Sequence, residues 1–166
     1  MTPDGIVLAL LNSRPVIDGT PQDALADDAE GRRWLRTHGG RGSEGELRFT
    51  RRARDLLDRV VRGTAPAPTL AEVVARAHQV PHLDVDGLRW ELVVDEDERF
   101  AVEVILAWDE LRRSAPGRLR ACANPECALF LLDRSHANRA RWCSMAICGN
   151  RMKARRHHER TRTAGG

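Results

Sequence analysis

A chain of 166 residues with 42% hydrophobic and 31% charged positions has room for one ordinary domain with a real core, or for one domain and a small appended module. Its longest apolar run, Ile6–Leu11, falls far short of the roughly 20 residues of a membrane helix. No basic segment or small-residue cleavage site flanks it, so the reading is a cytoplasmic protein with no membrane partner. The net charge of +3 conceals an imbalance: residues 1–117 carry 16 Arg against 21 acids, and residues 118–166 carry 11 Arg plus Lys against 3. One end of the molecule is therefore built to attract an anionic polymer and the other to repel it.

In chain order, Thr20, Pro21 and Asp23 predict the start of a helix that passes through Trp34 and Leu35 and stops at Gly39-Gly40. Phe49, Ala53, Leu56, Leu57, Val60 and Val61 recur at helical spacing up to Gly63. Thr64–Pro68 reads as a short stiff link, after which Thr69 and Glu72 form a capping box ahead of Leu70, Val73, Val74 and Ala77. Asp86-Gly87 marks a hairpin between strands His82–Val85 and Leu88–Val94. Asp95 and Glu98 then cap a long helix whose buried stripe is Phe100, Ala101, Val104, Ile105, Trp108 and Leu111. The acidic run Asp95–Glu98 reads as a helix N-terminus, where negative charge is favourable, rather than as a catalytic pair. His78 and His82 read as loop residues, and Trp34, Trp90 and Trp108 as core. Pro116-Gly117 ends the long helix and divides the chain into domains 1–116 and 117–166.

All four cysteines follow that boundary, as Cys122-x4-Cys127-x15-Cys143-x4-Cys148. Nothing indicates secretion, so disulfides are disfavoured. Two close pairs separated by a medium loop suit a tetrahedral ion, and four thiolates favour one Zn2+ per chain over an iron–sulfur cluster. Four sulfurs close the coordination shell, which makes the ion structural and not catalytic. Residues 122–127 predict a knuckle, Ala128–Leu132 a strand, 133–140 a loop and 141–144 the returning strand. A helix from about Ile147 carries Cys148 in its first turn. That order is treble-clef-like, and the predicted class is α+β: a mainly helical N-terminal domain with a β-hairpin, plus a four-cysteine zinc module.

The segment from Leu129 to Arg160 resembles the CGNR zinc-finger family, named for the residues that stand here as Cys148, Gly149, Asn150 and Arg151. The resemblance also takes in Phe130, Asp133, Ser135, Arg139, Arg141, Trp142, Cys143, Ser144, Met145 and Lys153. The preceding region is similar, more weakly, to the ABATE domain: an apolar segment ending in Asn12, the helix from Asp23 to Trp34-Leu35, and the helix before the finger. It departs where relatives carry an Asp-bearing segment and this chain has "LALLNS". The resemblance implies a bacterial transcription regulator, linked to stress, with motif roles for Asp133, Arg141, Trp142, Gly149 and Asn150.

The basic residues divide between two jobs. Arg120, Arg141 and Arg151 lie near the cysteines in sequence and are candidates to screen the −2 charge of a zinc tetrathiolate or to donate to sulfur. Arg139, Arg151, Lys153, Arg155, Arg156, Arg160 and Arg162 exceed that need, against only Glu159. On a helix Arg151, Arg155 and Arg162 share a face, with Arg156 and Arg160 alongside, and His157 and His158 add charge at low pH. The stripe predicts DNA as partner, each neutralised phosphate adding about 0.9 to the log–log salt slope. The alternative is a zinc-stabilised protein-interaction adaptor. The N-terminal domain is assigned a small-molecule ligand or a homodimer contact. A nuclease built on His136 lacks completing ligands, so the chain reads as no enzyme, and a redox-responsive zinc site has no sequence support over a static one.

Overall fold

The computed structural model of the protein describes residues 2–17 and 19–164; the side chains of His157 and of residues 161–164 lie outside the described set. Among the described residues, six α-helices and three two-stranded antiparallel sheets follow one another: α1 Pro3–Leu11, β1 Val16–Ile17, β2 Thr20–Pro21, α2 Asp28–Thr37, α3 Glu44–Val61, α4 Ala71–Val74, β3 His78–Asp84, β4 Gly87–Val93, α5 Glu96–Ser114, β5 Leu119–Ala121, β6 Phe130–Leu132 and α6 Asn150–Ala164. The class is α+β. No helix among the described residues is long and apolar enough to cross a membrane.

The core forms where α1, α3 and α5 pack. In α3, Leu47, Thr50, Ala53, Arg54 and Leu57 are buried at spacings of three and four, which places them on one face. Its start is fixed twice. The Ser43 hydroxyl accepts the Glu46 N–H, and the Glu46 carboxylate turns back to accept the N–H groups of Arg41 and Gly42. Phe100, Ala101, Val104, Ile105 and Trp108 of α5 are buried as the spacing predicts, whereas Leu111 is only half-buried.

Arg54 is 2% exposed, yet it is charged. It donates to both carboxylate oxygens of Asp23 at 2.6 and 2.8 Å and to the Ser13 hydroxyl at 2.7 Å. Burial alone would raise the Asp23 pKa. Hydrogen bonds from Arg54, the Leu25 N–H and Arg14 outweigh it and hold the carboxyl at about 2. This employment corrects the sequence reading of Asp23 as a residue in a first helical turn. Thr20–Pro21 is strand, and α2 begins later because Asp27 caps it through the Glu30 N–H. The end at Gly39-Gly40 stands, with Gly39 at φ +98.

Three further expectations give way to tertiary contacts. Thr69 and Glu72 form no capping box: Thr69 donates to the Pro66 carbonyl from within a 3-10 turn, and Glu72 pairs with Arg52. The hairpin turns on Val85-Asp86 rather than Asp86-Gly87, because Gly87 already pairs with Asp84, and β3 begins at His78. Asp95 caps α5 as expected, but Glu98 is drawn inward to an ion pair with Arg76. Glu96 and Asp97 tie the helix start to the loop before α3 through Arg41 and Ser43. Of the tryptophans read as core, Trp34, Trp90 and Trp108, Trp90 is 56% exposed on the hairpin and is not core.

The chain does not separate cleanly at Pro116-Gly117. Phe130 of β6 is buried in the same cluster as α1, α3 and α5, with Leu119 and Ala121 against it. The Asn12 side chain, just past α1, behaves like a strand residue toward Phe130: its Oδ1 accepts the Phe130 N–H at 2.7 Å and its Nδ2 donates to the Phe130 carbonyl at 3.2 Å. From the other side the Arg62 guanidinium sits 4.3 Å from the Phe130 ring centroid and donates to the Ala128 carbonyl.

Candidate metal centre and basic helix

The metal centre is assembled from two loops. Cys122 and Cys127 lie on the turn between β5 and β6, whose register pairs Leu119 with Leu132 and Ala121 with Phe130. Cys143 lies just before a π-helical turn, Met145–Gly149, that carries Cys148 and leads into α6. The expected hairpin is thus present in a different place. β6 pairs backward with β5 around the first cysteine pair, and residues 141–144 form no strand, because the Cys122–Cys127 turn brings β5 and β6 together.

The four sulfurs lie within 4.8 Å of one another, with Cys143 3.7 Å from both Cys127 and Cys148. Tetrahedral zinc with Zn–S bonds of about 2.3 Å requires sulfurs roughly 3.8 Å apart. The donor set and spacing fit one structural zinc ion held by Cys122, Cys127, Cys143 and Cys148. As free thiols they are crowded. Burial pushes Cys143 well above its ordinary value, with Cys127 and Cys148 adding to the effect, and burial raises Cys127 as well. Cys148 moves the other way: burial opposes its ionisation, but the Asn124 amide and the adjacent thiols outweigh it. A divalent cation is what allows four thiolates at this spacing.

Asn124, 1% exposed, was missed as a site residue; its only sequence signal was its place beside Pro125 between the first two cysteines. It donates to Cys148 Sγ at 3.4 Å and accepts the Glu126 N–H. The Cys143 N–H donates to Cys122 Sγ at 3.4 Å. The expected arginine donor Arg120 does not reach sulfur. Arg120 goes instead to Asp133 at 3.0 Å and to Asn138.

Asp133 organises the loop after β6. It accepts N–H groups from Ser135 and Ala140 as well as Arg120. The Ser135 hydroxyl, then these donors, keep its carboxyl below the usual range. Asn138 takes a left-handed φ of 48 there. Gly149 is closely approached: a Cβ would lie 2.8 Å from Met145 Sδ, the end of an exposed side chain that can shift, and 3.3 Å from the Trp142 ring. The Arg141 guanidinium lies 5.5 Å from the Trp142 ring centroid. Asn150 is exposed and donates to the Ala146 carbonyl.

At about 100° per residue, α6 presents two basic faces rather than one. Arg151 and Arg155 share a side; the side chain of Arg162 lies outside the described residues. Lys153, Arg156 and Arg160 lie about 150° further round. The sequence reading had set Arg156 and Arg160 beside the first group. Arg155 is occupied by Glu126 at 3.6 Å and Glu159 at 3.3 Å. With Asp133 held by Arg120, all three acids of residues 118–166 are paired with arginine. Arg139 stands exposed in the loop after β6.

No curated protein matches the chain significantly. Two family models do. The CGNR zinc finger matches residues 118–161, taking in all four sulfurs and most of α6. A second family, ABATE, described as "Putative stress-induced transcription regulator", matches residues 4–132 and so spans α1 through β6. The chain belongs to the ABATE family and carries the CGNR zinc finger at its C-terminal end.

Proposed function

We propose that the protein is a non-enzymatic transcription regulator that binds DNA through α6. One observation carries the reading: Lys153 and Arg156 stand three residues apart on one face of a helix whose entry is anchored by a zinc ligand. The nearby acids are already engaged by other arginines. Lys153 makes no ion pair with a described residue, and Arg156 bonds only its own helix, through the Met152 carbonyl. Such a stripe tracks phosphates, and an anchored helix can lie in or across the major groove.

The N-terminal part supplies pairing of two chains and an effector site in this reading. On the hairpin, Pro81 and Leu83 share one face with Leu88, Trp90 and Leu92, while His82, Arg89 and Glu91 share the other. The apolar face is largely open, with Leu83 82% exposed. It carries no charge, so two copies meet there without like-charge repulsion. A two-stranded hairpin is marginal alone, and a few hundred Å² per chain falls below the roughly 800 Å² of a stable interface, so pairing is weak and DNA reinforces it. A cleft of about 370 Å³ lined by Ile6, His38, Phe100, Glu103 and Val104 is the place for a small effector.

The test is duplex binding by fluorescence anisotropy across a salt series. A Lys153→Glu/Arg156→Glu variant that keeps its zinc loses affinity, and its log–log salt slope falls by about 2. Arg155→Gln, removing a side chain already paired with acids, has the smaller effect. Equal binding by wild type and the double variant would end the DNA reading. A single protein partner captured equally by both would then establish the adaptor alternative.

A further inference from the structure

The cleft assigned above to an effector has a chemistry that narrows what can fill it. Three helices build it. Pro3 and Ile6 come from α1, His38 and Gly39 from the end of α2, and Phe100, Glu103, Val104 and Ala107 from one face of α5, at spacings of three and four. Its volume of about 370 Å³ is within the range for a small molecule. The charge in it has one sign. The chain carries 27 Lys and Arg, yet among the described residues none of them lines the cleft and Glu103 is the one carboxylate that does.

Glu103 makes no hydrogen bond or ion pair with a described residue. Arg99, one turn earlier on α5, is held by the Leu92 carbonyl at 3.2 Å and by Glu96 at 3.5 Å. Glu103 is exposed, but the packing around its carboxyl still raises its pKa; Arg99 opposes the rise, and Glu46, itself 2% exposed, adds to it. His38 offers a second acceptor. Its Nδ1 lies 2.7 Å from the Trp34 carbonyl and 3.0 Å from Thr37 Oγ1, whose own proton goes to the same carbonyl. A carbonyl can only accept, so this network assigns the ring proton to Nδ1. Nε2 of the neutral ring is then an acceptor, with no partner among the described residues. The ring is held by its stack on Trp34, the centroids 3.8 Å apart, and Trp34 meets Phe100 edge-on.

We propose that this cleft binds a small primary ammonium carried on an apolar body, of the aralkyl-amine class. The ammonium donates to the Glu103 carboxylate, with His38 Nε2 as a second acceptor, and the apolar body lies against Ile6, Phe100, Val104 and Ala107. An anion of the same shape meets Glu103 with like charge. A neutral alcohol brings one uncharged donor where the ammonium brings three charged ones. The proposal rests on the reading of this cleft as the effector site and gives that site its ligand class.

The experiment titrates 2-phenylethylamine into the isotope-labelled, zinc-loaded full chain without DNA, beside 3-phenylpropionate and 2-phenylethanol, and follows amide chemical shifts. The amine is expected to bind saturably with a Kd of about 1 mM or tighter, moving the amides of Ile6, Gly39 and Val104. The acid is expected to bind at least about tenfold more weakly. Glu103→Gln keeps the shape and removes the charge. It is expected to weaken the amine about tenfold and to leave phenylethanol unchanged. Glu110→Gln, on the same helix but outside the cleft, is expected to leave all three unchanged. Absence of saturable amine binding, equal binding of the acid, or an amine affinity that ignores Glu103→Gln or falls equally in Glu110→Gln overturns the proposal. Duplex binding with and without the amine tests the effector reading separately. An amine that occupies the cleft and leaves duplex affinity unchanged ends that reading and upholds this site, and failure of amine binding strikes this site while leaving the DNA helix untouched.

Discussion

Residues 2–114 and residues 118–164 are held together by different physics. The first region buries a continuous apolar set from α1, α3 and α5 and can order itself by removing that surface from water. The second contributes Phe130 to that core and otherwise buries little apolar surface. Its loops converge on four sulfurs, and α6 projects with almost no apolar face. The contrast shows how a short, strongly basic segment becomes a shaped one: a metal supplies the order that its composition cannot. The two regions meet at Phe130, where Asn12 and Arg62 grip the zinc module from the helical side.

Removing the metal should separate the regions most sharply. Structural zinc is worth about 10–16 kcal/mol in small modules. Chelation, or Cys148→Ser, is therefore expected to abolish protection of amides 122–149 in hydrogen exchange while α3 and α5 stay protected. Loss of protection in both regions together would show a single cooperative unit. Asp23→Ala attacks the other region. It leaves Arg54 buried without its partner, at a cost of about 3–5 kcal/mol, seen as a lower midpoint in urea with zinc still bound.

The same pair gives the helical region an acid limit. The folded pKa of Asp23, about 2, lies below its ordinary value of 3.8, so its stabilisation is present above the ordinary value and is lost as pH falls toward 2. A urea midpoint that falls over that interval in wild type, and falls less in Asp23→Asn, checks this. Gly149→Ala is the next smaller change. The added methyl meets Met145 and Trp142 and is expected to cost about 1–3 kcal/mol, weakening zinc affinity and leaving the helical core untouched. Asn12→Ala removes two hydrogen bonds at the junction for about 1–2 kcal/mol. It should loosen the zinc module against α1, read as faster amide exchange at Phe130, without releasing metal.

Much of this was legible in local patterns. Cysteine spacing pointed to the zinc ligands, and the periodicity of α3 and α5 to their buried faces, because both depend on neighbours in the chain. The misreadings share a cause. Thr69, Glu72, Glu98 and Asp23 all look like helix caps, yet Glu72, Glu98 and Asp23 are taken by arginines distant in sequence, Arg52, Arg76 and Arg54. A carboxylate able to cap a helix is equally able to pair with a guanidinium, and only the packing decides between them. Asn124 and Asn12 were similarly silent, since nothing local shows that one faces a sulfur and the other a backbone strand.

By itself, then, the sequence determined the ligand set, the separation of charge between the two regions and the α+β class, since these follow from residue type and spacing. The tertiary structure decided which acids are already paired, which two of the four sulfurs are buried, and that the zinc module is docked on the helical core rather than tethered beyond it. Those depend on groups far apart in the chain arriving at the same place, and residue spacing carries no record of that.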